Sequence, residues 1–210
     1  MTLKNKYATP QEEFWAGEFG VDYIARNDSA EMLASNLNTF SKALKYAGRI
    51  SSCLEIGANI GLNLKALKLL YPGINLKAAE INPLAAKQLR NLIGNENVFE
   101  GSILEYPLEE KVDLTLAKGV LIHINPEILH NVYDKLYQAS KRYILVCEYY
   151  NPSPVAITYR GHEDRLFKRD FAGELLEKYP DLKLVDYGFV YHKDPVFPDD
   201  DLNWFLLEKK

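Results

Sequence analysis

The fold is decided by residues 54–63, which read Leu54-Glu55-Ile56-Gly57-Ala58-Asn59-Ile60-Gly61-Leu62-Asn63. An apolar, strand-like run ends at Ile56, a turn with two glycines follows, and a helix-like run begins at Leu62. A loop that leaves a parallel strand and enters a helix exposes unpaired backbone N–H groups, and glycine lets a ligand approach them closely. The stretch therefore predicts a ligand pocket at the carboxyl end of a strand.

An acidic residue closes the next apolar run. Glu80 follows Ile74–Ala79 and lies 19 residues after Gly61, close to the spacing of about 20 residues at which nucleotide-binding folds place a ribose-binding carboxylate. The two features indicate a nucleoside-containing cofactor, either NAD or S-adenosylmethionine. The NAD fingerprint requires glycine at the first, third and sixth positions of the turn, whereas the third and sixth positions here are Asn59 and Leu62.

The turn instead resembles the Glu/Asp-x-Gly-x-Gly-x-Gly loop of class I S-adenosylmethionine-dependent methyltransferases, with asparagine at the middle glycine position. The resemblance implies S-adenosyl-L-methionine as the cofactor, Glu55 as the acid that steers its methionine end, and Glu80 as the acid that holds the ribose hydroxyls. An ordinary strand-to-helix turn is the alternative interpretation of the two glycines. The presence of Glu80 at the spacing of a ribose-binding acid argues against this alternative. The residues predicted to bind the cofactor in this region are Glu55, Gly57, Asn59, Gly61, Glu80 and Ile81.

The composition is that of an ordinary globular protein. At 210 residues, with 47% hydrophobic and 26% charged residues, the chain suits a single domain spanning 1–210. The net charge of −4 offers no basic surface for a phosphate backbone, so nucleic acid is not expected as a partner. No apolar run reaches 18 residues, so no membrane association is expected. Cys53 and Cys147 lie in apolar runs, which indicates buried free thiols and a cytoplasmic location.

Short apolar runs alternate with amphipathic, helix-like runs from Cys53 to Cys147. This alternation predicts an α/β fold with a mainly parallel sheet and helices on both faces. Two alternating runs, at 182–191 and 202–208, predict a C-terminal antiparallel hairpin, and the whole pattern resembles the Rossmann-like sheet of class I methyltransferases. Before the first strand, helical spacing within 1–48 predicts two additional helices that form an N-terminal cap.

Residues after the third and fourth strands should border the same pocket, because ligands of open parallel sheets bind beyond the carboxyl ends of the strands. The resemblance implies that Ser102 and Ile103 flank the adenine and that Lys118 and Gly119 border the cofactor. A solvated side chain is an equal alternative for Lys118. His123 is the histidine nearest to this edge, and it is either a general base or a hydrogen-bonding cap.

Residues 149–168 predict a long substrate loop that combines tyrosines with cations. The planar guanidinium of arginine suits carboxylate or phosphate recognition, so a small acidic metabolite is the expected substrate. An ion-paired surface loop is the alternative, and the Asp199-Asp200-Asp201 run is interpreted as a solvated turn, with no metal site expected. The predicted substrate-binding residues are Tyr149, Tyr150, Tyr159, Arg160, His162, Arg165, Lys168 and Arg169.

A narrower resemblance runs nearly end to end. The stretches 11–20, 23–27, 118–126 and 159–171 together resemble the methylases associated with pseudaminic acid biosynthesis. This implies methyl transfer to an oxygen or nitrogen of a nonulosonate-type sugar or its precursor, with Tyr23 and Arg26 covering the cofactor. Simple helix packing and a surface ion pair are the alternatives for those two residues. Methylation of an amino-acid or peptide amine, and a non-catalytic scaffold with the same fold, remain alternative functions, and the oligomeric state is not predicted.

Overall fold

A central seven-stranded sheet organises the protein, whose computed structural model describes residues 7–27 and 29–210. The spatial order is β3-β2-β1-β4-β5-β9-β8; the first five strands are parallel, and β9 runs antiparallel to both β5 and β8. The predicted parallel sheet with a C-terminal antiparallel hairpin is therefore confirmed. The strands are β1 (Ser52–Ile56), β2 (Asn75–Glu80), β3 (Val98–Glu100), β4 (Val112–Lys118), β5 (Ser140–Glu148), β6 (Val155–Tyr159), β7 (His162–Lys168), β8 (Leu182–Phe189) and β9 (Asn203–Lys209).

Helices cover both faces of the sheet, as predicted. Successive side chains of a strand point to opposite faces, so on β5 Leu145 clusters with apolar residues of α3, α4 and α5, and Ile144 clusters with those of α6 and α7. Both faces of the parallel strands are thus buried. The helices are α1 (Pro10–Ala16), α2 (Glu18–Arg26), α3 (Ala30–Ala43), α4 (Leu62–Leu70), α5 (Pro83–Ile93), α6 (Leu129–Ala139) and α7 (Phe171–Lys178).

Three helices, not the predicted two, precede β1 in the described part of the chain. Thr9 caps the first, since its hydroxyl accepts a hydrogen bond from the N–H of Glu12 at 3.2 Å. Gly17 then adopts an extended conformation (φ −92°, ψ −158°) that ends α1 and begins α2. The aromatic spacing across residues 14–23 continues through this break, so hydrophobic periodicity alone did not reveal it.

Most of the segment 149–168 is not the irregular loop that its sequence suggested. Residues 149–154 are irregular, and residues 155–168 form an antiparallel hairpin of β6 and β7, which are joined by Arg160 and Gly161. Both turn residues have positive φ, 49° and 83°, the geometry of a tight I′ hairpin turn. The ring of His162 packs against Phe14 and Phe19, with centroids 4.9 and 5.7 Å away. The hairpin and the N-terminal helices therefore meet above the carboxyl edge of the sheet.

The crevice at that edge lies where the strand order reverses, between β1 and β4. Open α/β sheets bind ligands at this point because the connections on its two sides lead to opposite faces. The loops after β1, β2 and β4 all open into it. No helix within 7–27 and 29–210 combines the length and apolar character needed to cross a bilayer.

Candidate cofactor site and active site

The glycine turn after β1 has the backbone geometry that its sequence predicts. Gly57, Asn59 and Gly61 have φ of 60°, 48° and 85°, a left-handed region that glycine and asparagine tolerate best. A Cβ on Gly57 would lie 2.4 Å from Cγ2 of Val120. A side chain at position 57 would therefore collide with the loop that follows β4, so the close approach of the two loops requires glycine.

The carboxylate of Glu80 is fixed by the backbone on both of its oxygens. Oε2 accepts a hydrogen bond from the N–H of Asn59 and Oε1 accepts one from the N–H of Asn82, each at 2.7 Å. Glu80 is buried and lines the crevice; burial raises its pKa and the backbone N–H donors oppose the rise. Each oxygen keeps a further lone pair, so the oriented carboxylate can accept hydroxyl groups such as those of a ribose diol.

A first cavity, of about 870 Å³, extends from Glu80 beneath the N-terminal helices. Ile81 and Ile103 provide apolar walls, and Gln11 and Trp15 of α1 also line it. The Oε1 atom of Gln11 is buried and has no hydrogen-bond partner among the described residues, while its Nε2 donates to the carbonyl of Asp164 at 3.1 Å. Apolar walls and an unpartnered acceptor suit a flat base that carries an amino group, as adenine does.

A second cavity, of about 820 Å³, adjoins the first. The two share Tyr23, Gly57, Asn59, Gly119 and His123 as walls. Gly119 has a φ of 65°, and a Cβ there would meet nothing within 4 Å. An extended ligand could thus pass from one cavity to the other across two glycine-containing loops.

An ion pair lies in the second cavity. Lys118, at the end of β4, approaches Asp199 to 3.2 Å, and each side chain is only 12% exposed. The carboxylate of Asp199 also accepts a hydrogen bond from Thr39 at 3.5 Å, and Ser35 donates to the carbonyl of Pro198 at 2.7 Å. The reading of the aspartate run as a solvated turn is therefore wrong for Asp199, because the β8–β9 connection folds back onto α3.

His123 lines both cavities and is fixed by one hydrogen bond. Its Nδ1 lies 2.6 Å from the backbone carbonyl of Arg165. A carbonyl only accepts, so Nδ1 carries the proton and Nε2 carries the lone pair in the neutral ring. Burial lowers the pKa of His123 to about 4. The two predicted roles are therefore compatible, because Nδ1 makes the structural bond and Nε2 stays free to accept a proton.

Two of the predicted substrate residues, Tyr149 and Tyr159, line the second cavity. The other six do not line either cavity. Tyr150 packs near Phe205 with ring centroids 6.1 Å apart, and His162 contacts α1 and α2 as described. The structure thus brings two of the predicted aromatic residues to the site, Tyr149 and Tyr159.

The four predicted cations point elsewhere. Arg160 is exposed at the hairpin turn, and the guanidinium of Arg165 lies 5.2 Å from the ring centre of Phe14. Lys168 lies over the ring of Tyr149, and Arg169 forms an ion pair with Glu174 at 2.6 Å. Their charges are engaged by aromatic rings, a carboxylate or solvent, so they do not form a cationic substrate pocket.

Four predicted cofactor residues also lie outside the two cavities. Glu55 is fully buried, with Oε1 accepting from Nδ2 of Asn63 at 2.6 Å. The hydroxyl of Ser102 donates to Glu12 at 2.5 Å. Arg26 lies over the rings of Phe19 and Tyr23, and Gly61 is the residue just before α4, where a Cβ would lie 2.7 Å from Leu89. These residues support the walls of the site and do not line it.

Solved structures share this architecture. The mitomycin 7-O-methyltransferase superposes with a TM-score of 0.68 at 15% identity, over 96% of this chain and 61% of that one, so this chain spans less than two thirds of that protein. A Burkholderia thailandensis 1,6-didemethyltoxoflavin-N1-methyltransferase with bound 1,6-didemethyltoxoflavin and S-adenosylhomocysteine gives 0.68 at 16% identity, over 99% and 93% of the chains. Magnesium protoporphyrin IX methyltransferase from Synechocystis PCC 6803, also with bound S-adenosylhomocysteine, gives 0.67 at 12% identity, over 95% and 98%.

This chain has the class I methyltransferase fold. Neither a protein-family model nor a curated protein matches its sequence. Identities of 12–16% establish the fold and do not carry a substrate, since one fold hosts many chemistries. The resemblance to methylases of pseudaminic acid biosynthesis accordingly stays a prediction.

Several residues of this methyltransferase fold escaped the sequence analysis. The residues of α1 were expected only to form part of the N-terminal helical cap, and no motif marked them as lining a cavity. Asn36 occupies a polar position on an amphipathic helix, where polar residues usually face solvent. The missed residues that line a cavity include Gln11, Glu12, Trp15, Asn36, Asp199 and Asp200.

Glu148, at the end of β5, was also missed. Its Oε1 accepts hydrogen bonds from the N–H groups of Val120 and Leu121 at 3.0 and 2.9 Å, and its Oε2 is buried without a partner among the described residues. Burial raises the pKa of Glu148 to about 7, against the lowering effect of the backbone donors. This side chain fixes the loop that carries Gly119 and His123, so it is a positioning residue.

Replacing Glu148 with glutamine should change how stability depends on pH. The unfolded carboxyl releases its proton near pH 4.5 and the folded one near 7, so the wild type loses free energy of unfolding as the pH rises through this window. The glutamine amide cannot ionise and keeps an oxygen for the two N–H groups. Denaturant unfolding at pH 5 and pH 8 should show the variant gaining about 3 kcal/mol relative to the wild type between the two conditions.

The exposed Glu109→Gln variant provides the control, since it removes a carboxyl of the same type from solvent. The stability change that it causes shows the effect of a carboxyl-to-amide substitution at the surface. An equal pH slope for wild type and Glu148→Gln would show that the Glu148 carboxyl is ionised throughout this range.

Proposed function

We propose that the protein transfers a methyl group from S-adenosyl-L-methionine to an oxygen or nitrogen of a small molecule. The observation that carries this proposal is the pair of adjoining cavities that meet at Gly57 and Gly119, with Glu80 in one and His123 in both. The fold supports it, and so do the similar proteins that hold S-adenosylhomocysteine. The buried free thiols of Cys53 and Cys147 support the proposed cytoplasmic location.

The first cavity would hold the adenosine. Glu80 would accept the ribose hydroxyls, Ile81 and Ile103 would enclose the base, and Gln11 would accept a hydrogen bond from its amino group. When bound, the cofactor supplies a methyl group activated on a sulfonium centre. The wall shared by the two cavities is then where donor and acceptor meet, and holding two reactants in contact provides much of the acceleration in such reactions.

His123 would serve the acceptor. With Nδ1 bonded to Arg165, the Nε2 lone pair can take the proton that an attacking hydroxyl or amine must lose. Trp15 and Tyr159 lie against the imidazole, with ring centroids 4.5 and 5.1 Å away. These rings exclude water from the base, which also favours transfer from a cationic donor.

The sequence resemblance implies a more specific substrate, an acidic nonulosonate-type sugar. The second cavity provides few positive charges for such an acid. Lys118 is the one Lys or Arg among the described residues that line it, and a single cation offers little to an acidic sugar beside a cofactor that carries its own carboxylate. The tyrosine walls suit an acceptor with an apolar or aromatic face. Methylation of an amino-acid or peptide amine is the alternative enzymatic function, and a non-catalytic scaffold is the alternative without turnover.

A labelled-methyl assay tests the proposal. The protein is incubated with a cell extract and S-adenosylmethionine that carries a trideuterated methyl group, and the extract is searched for metabolites or peptides with the corresponding mass shift. One mass-shifted small molecule is expected, and its structure identifies the acceptor. Cofactor binding without any labelled product would favour a scaffold, and absence of S-adenosylhomocysteine binding at millimolar concentration would refute the proposed function.

A further inference from the structure

The second cavity contains a set of charges that the proposed transfer does not use. Lys118 pairs with Asp199, and Asp200 lies beside them on the β8–β9 connection, residues 190–202. Asp199 is fully engaged, because Oδ1 also accepts from the N–H of Asp200 at 2.9 Å and Oδ2 accepts from Thr39. Asp200 is an exposed residue at the mouth of this cavity, and its carboxylate has no hydrogen-bond partner or ion pair among the described residues. It is close enough to Tyr23 and Tyr149 to contribute to their raised pKa values.

A second polar group faces the same cavity independently of the aspartates. Asn36, on α3, is only 5% exposed and lines the cavity. Its side-chain amide has no hydrogen-bond partner within 7–27 and 29–210. Buried amides are normally satisfied, so an unpartnered amide that opens into a cavity points to a polar ligand group there.

Glu55, which the sequence assigned to the methionine end, does not reach this space. Its carboxylate lies behind Asn63, and burial raises its pKa to about 8. A mostly protonated carboxyl that lines neither cavity offers no negative charge to a ligand. An ammonium group in the second cavity would therefore need another partner.

We propose that the β8–β9 connection and α3 recognise the amino-acid end of the cofactor. Asp200 binds the α-ammonium, Lys118 binds the α-carboxylate while Asp199 holds it in place, and the amide of Asn36 completes the contacts. This inference rests on the proposed function. With adenosine beside Glu80, the amino-acid end crosses the shared wall at Gly57 and Gly119, and a cavity that presents both signs of charge fits a zwitterion.

Binding calorimetry with two ligands tests the inference. S-adenosylhomocysteine carries the amino-acid end, whereas 5′-methylthioadenosine keeps the adenosine and lacks that end. Asp200→Asn should weaken S-adenosylhomocysteine binding by about 10- to 100-fold, the range expected for losing a hydrogen bond to a charged group. It should leave 5′-methylthioadenosine binding within about twofold of the wild type. Asn36→Ala should show the same selectivity with a smaller effect.

Asp201→Asn is the matched control, because it makes the same change one residue further on. Asp201 does not line the cavity and binds His192 at 2.8 Å instead, so both affinities should stay unchanged. If Asp200→Asn weakened the binding of both ligands equally, or did not affect S-adenosylhomocysteine binding, this inference would be wrong while the proposed function would stand. A wild-type protein that binds neither ligand would overturn the proposed function, and this inference with it.

Discussion

Replacing Glu80 with alanine is expected to reduce S-adenosylhomocysteine binding by at least about 100-fold, since two hydrogen bonds to a charged acceptor are each worth about 1.5–3 kcal/mol. The same change orphans the N–H groups of Asn59 and Asn82, which Glu80 now satisfies. It should therefore also lower the free energy of unfolding by about 2–5 kcal/mol. Calorimetry gives the affinity, and circular dichroism with denaturant unfolding shows that the variant is folded at the temperature used.

Glu100 provides a matched control for this experiment. It pairs with Glu80 in the parallel register of β2 and β3, and its carboxylate instead binds the surface guanidinium of Arg90 at 2.9 Å. Glu100→Ala should leave the affinity unchanged. A Glu80→Ala protein that is folded and binds S-adenosylhomocysteine as tightly as the wild type would contradict the ribose assignment.

Replacing His123 with asparagine is expected to lower kcat by about 100- to 10,000-fold, the usual contribution of a positioned general base. The asparagine amide can still donate to the carbonyl of Arg165, as Nδ1 does now, but it lacks a basic nitrogen. Affinity for S-adenosylhomocysteine and thermal stability should therefore change little. The measurement is the initial rate with the acceptor that the labelled-methyl assay identifies.

The pH profile adds a second test of His123. Because burial lowers its pKa to about 4, the imidazole is already mostly neutral at pH 5, so its ionisation should not change the wild-type rate between there and pH 8. His123→Asn should lack the acid limb below pH 5 that the wild type shows. His123→Ala, which also loses the bond to Arg165, separates the two roles: if it loses activity and His123→Asn keeps it, His123 is only a structural cap.

The sequence predicted the sheet well because its determinants are local. Short apolar runs, amphipathic helix-like runs and a glycine turn each act over a few residues, and a parallel sheet follows from their alternation. The part of the site at the strand ends could be predicted for the same reason. Gly57, Glu80 and Gly119 line the cavities because the topology brings the ends of β1, β2 and β4 to one crevice.

Features that depend on distant contacts were missed. Lys118 and Asp199 are 81 residues apart, and no local pattern shows that a C-terminal connection returns to the end of β4. The cations of 149–168 were assigned to the substrate because a loop was expected. A hairpin fixes which side each residue faces, and it directs Arg165 onto Phe14 and Lys168 onto Tyr149.

Asn82 joins three parts of the molecule through one side chain and its backbone. Its N–H donates to Glu80, its Oδ1 caps α5, and its Nδ2 donates to the carbonyl of Trp15 at 3.1 Å in the helices above the crevice. A substitution at this position would therefore disturb the Glu80 carboxylate, the start of α5 and the attachment of α1 together.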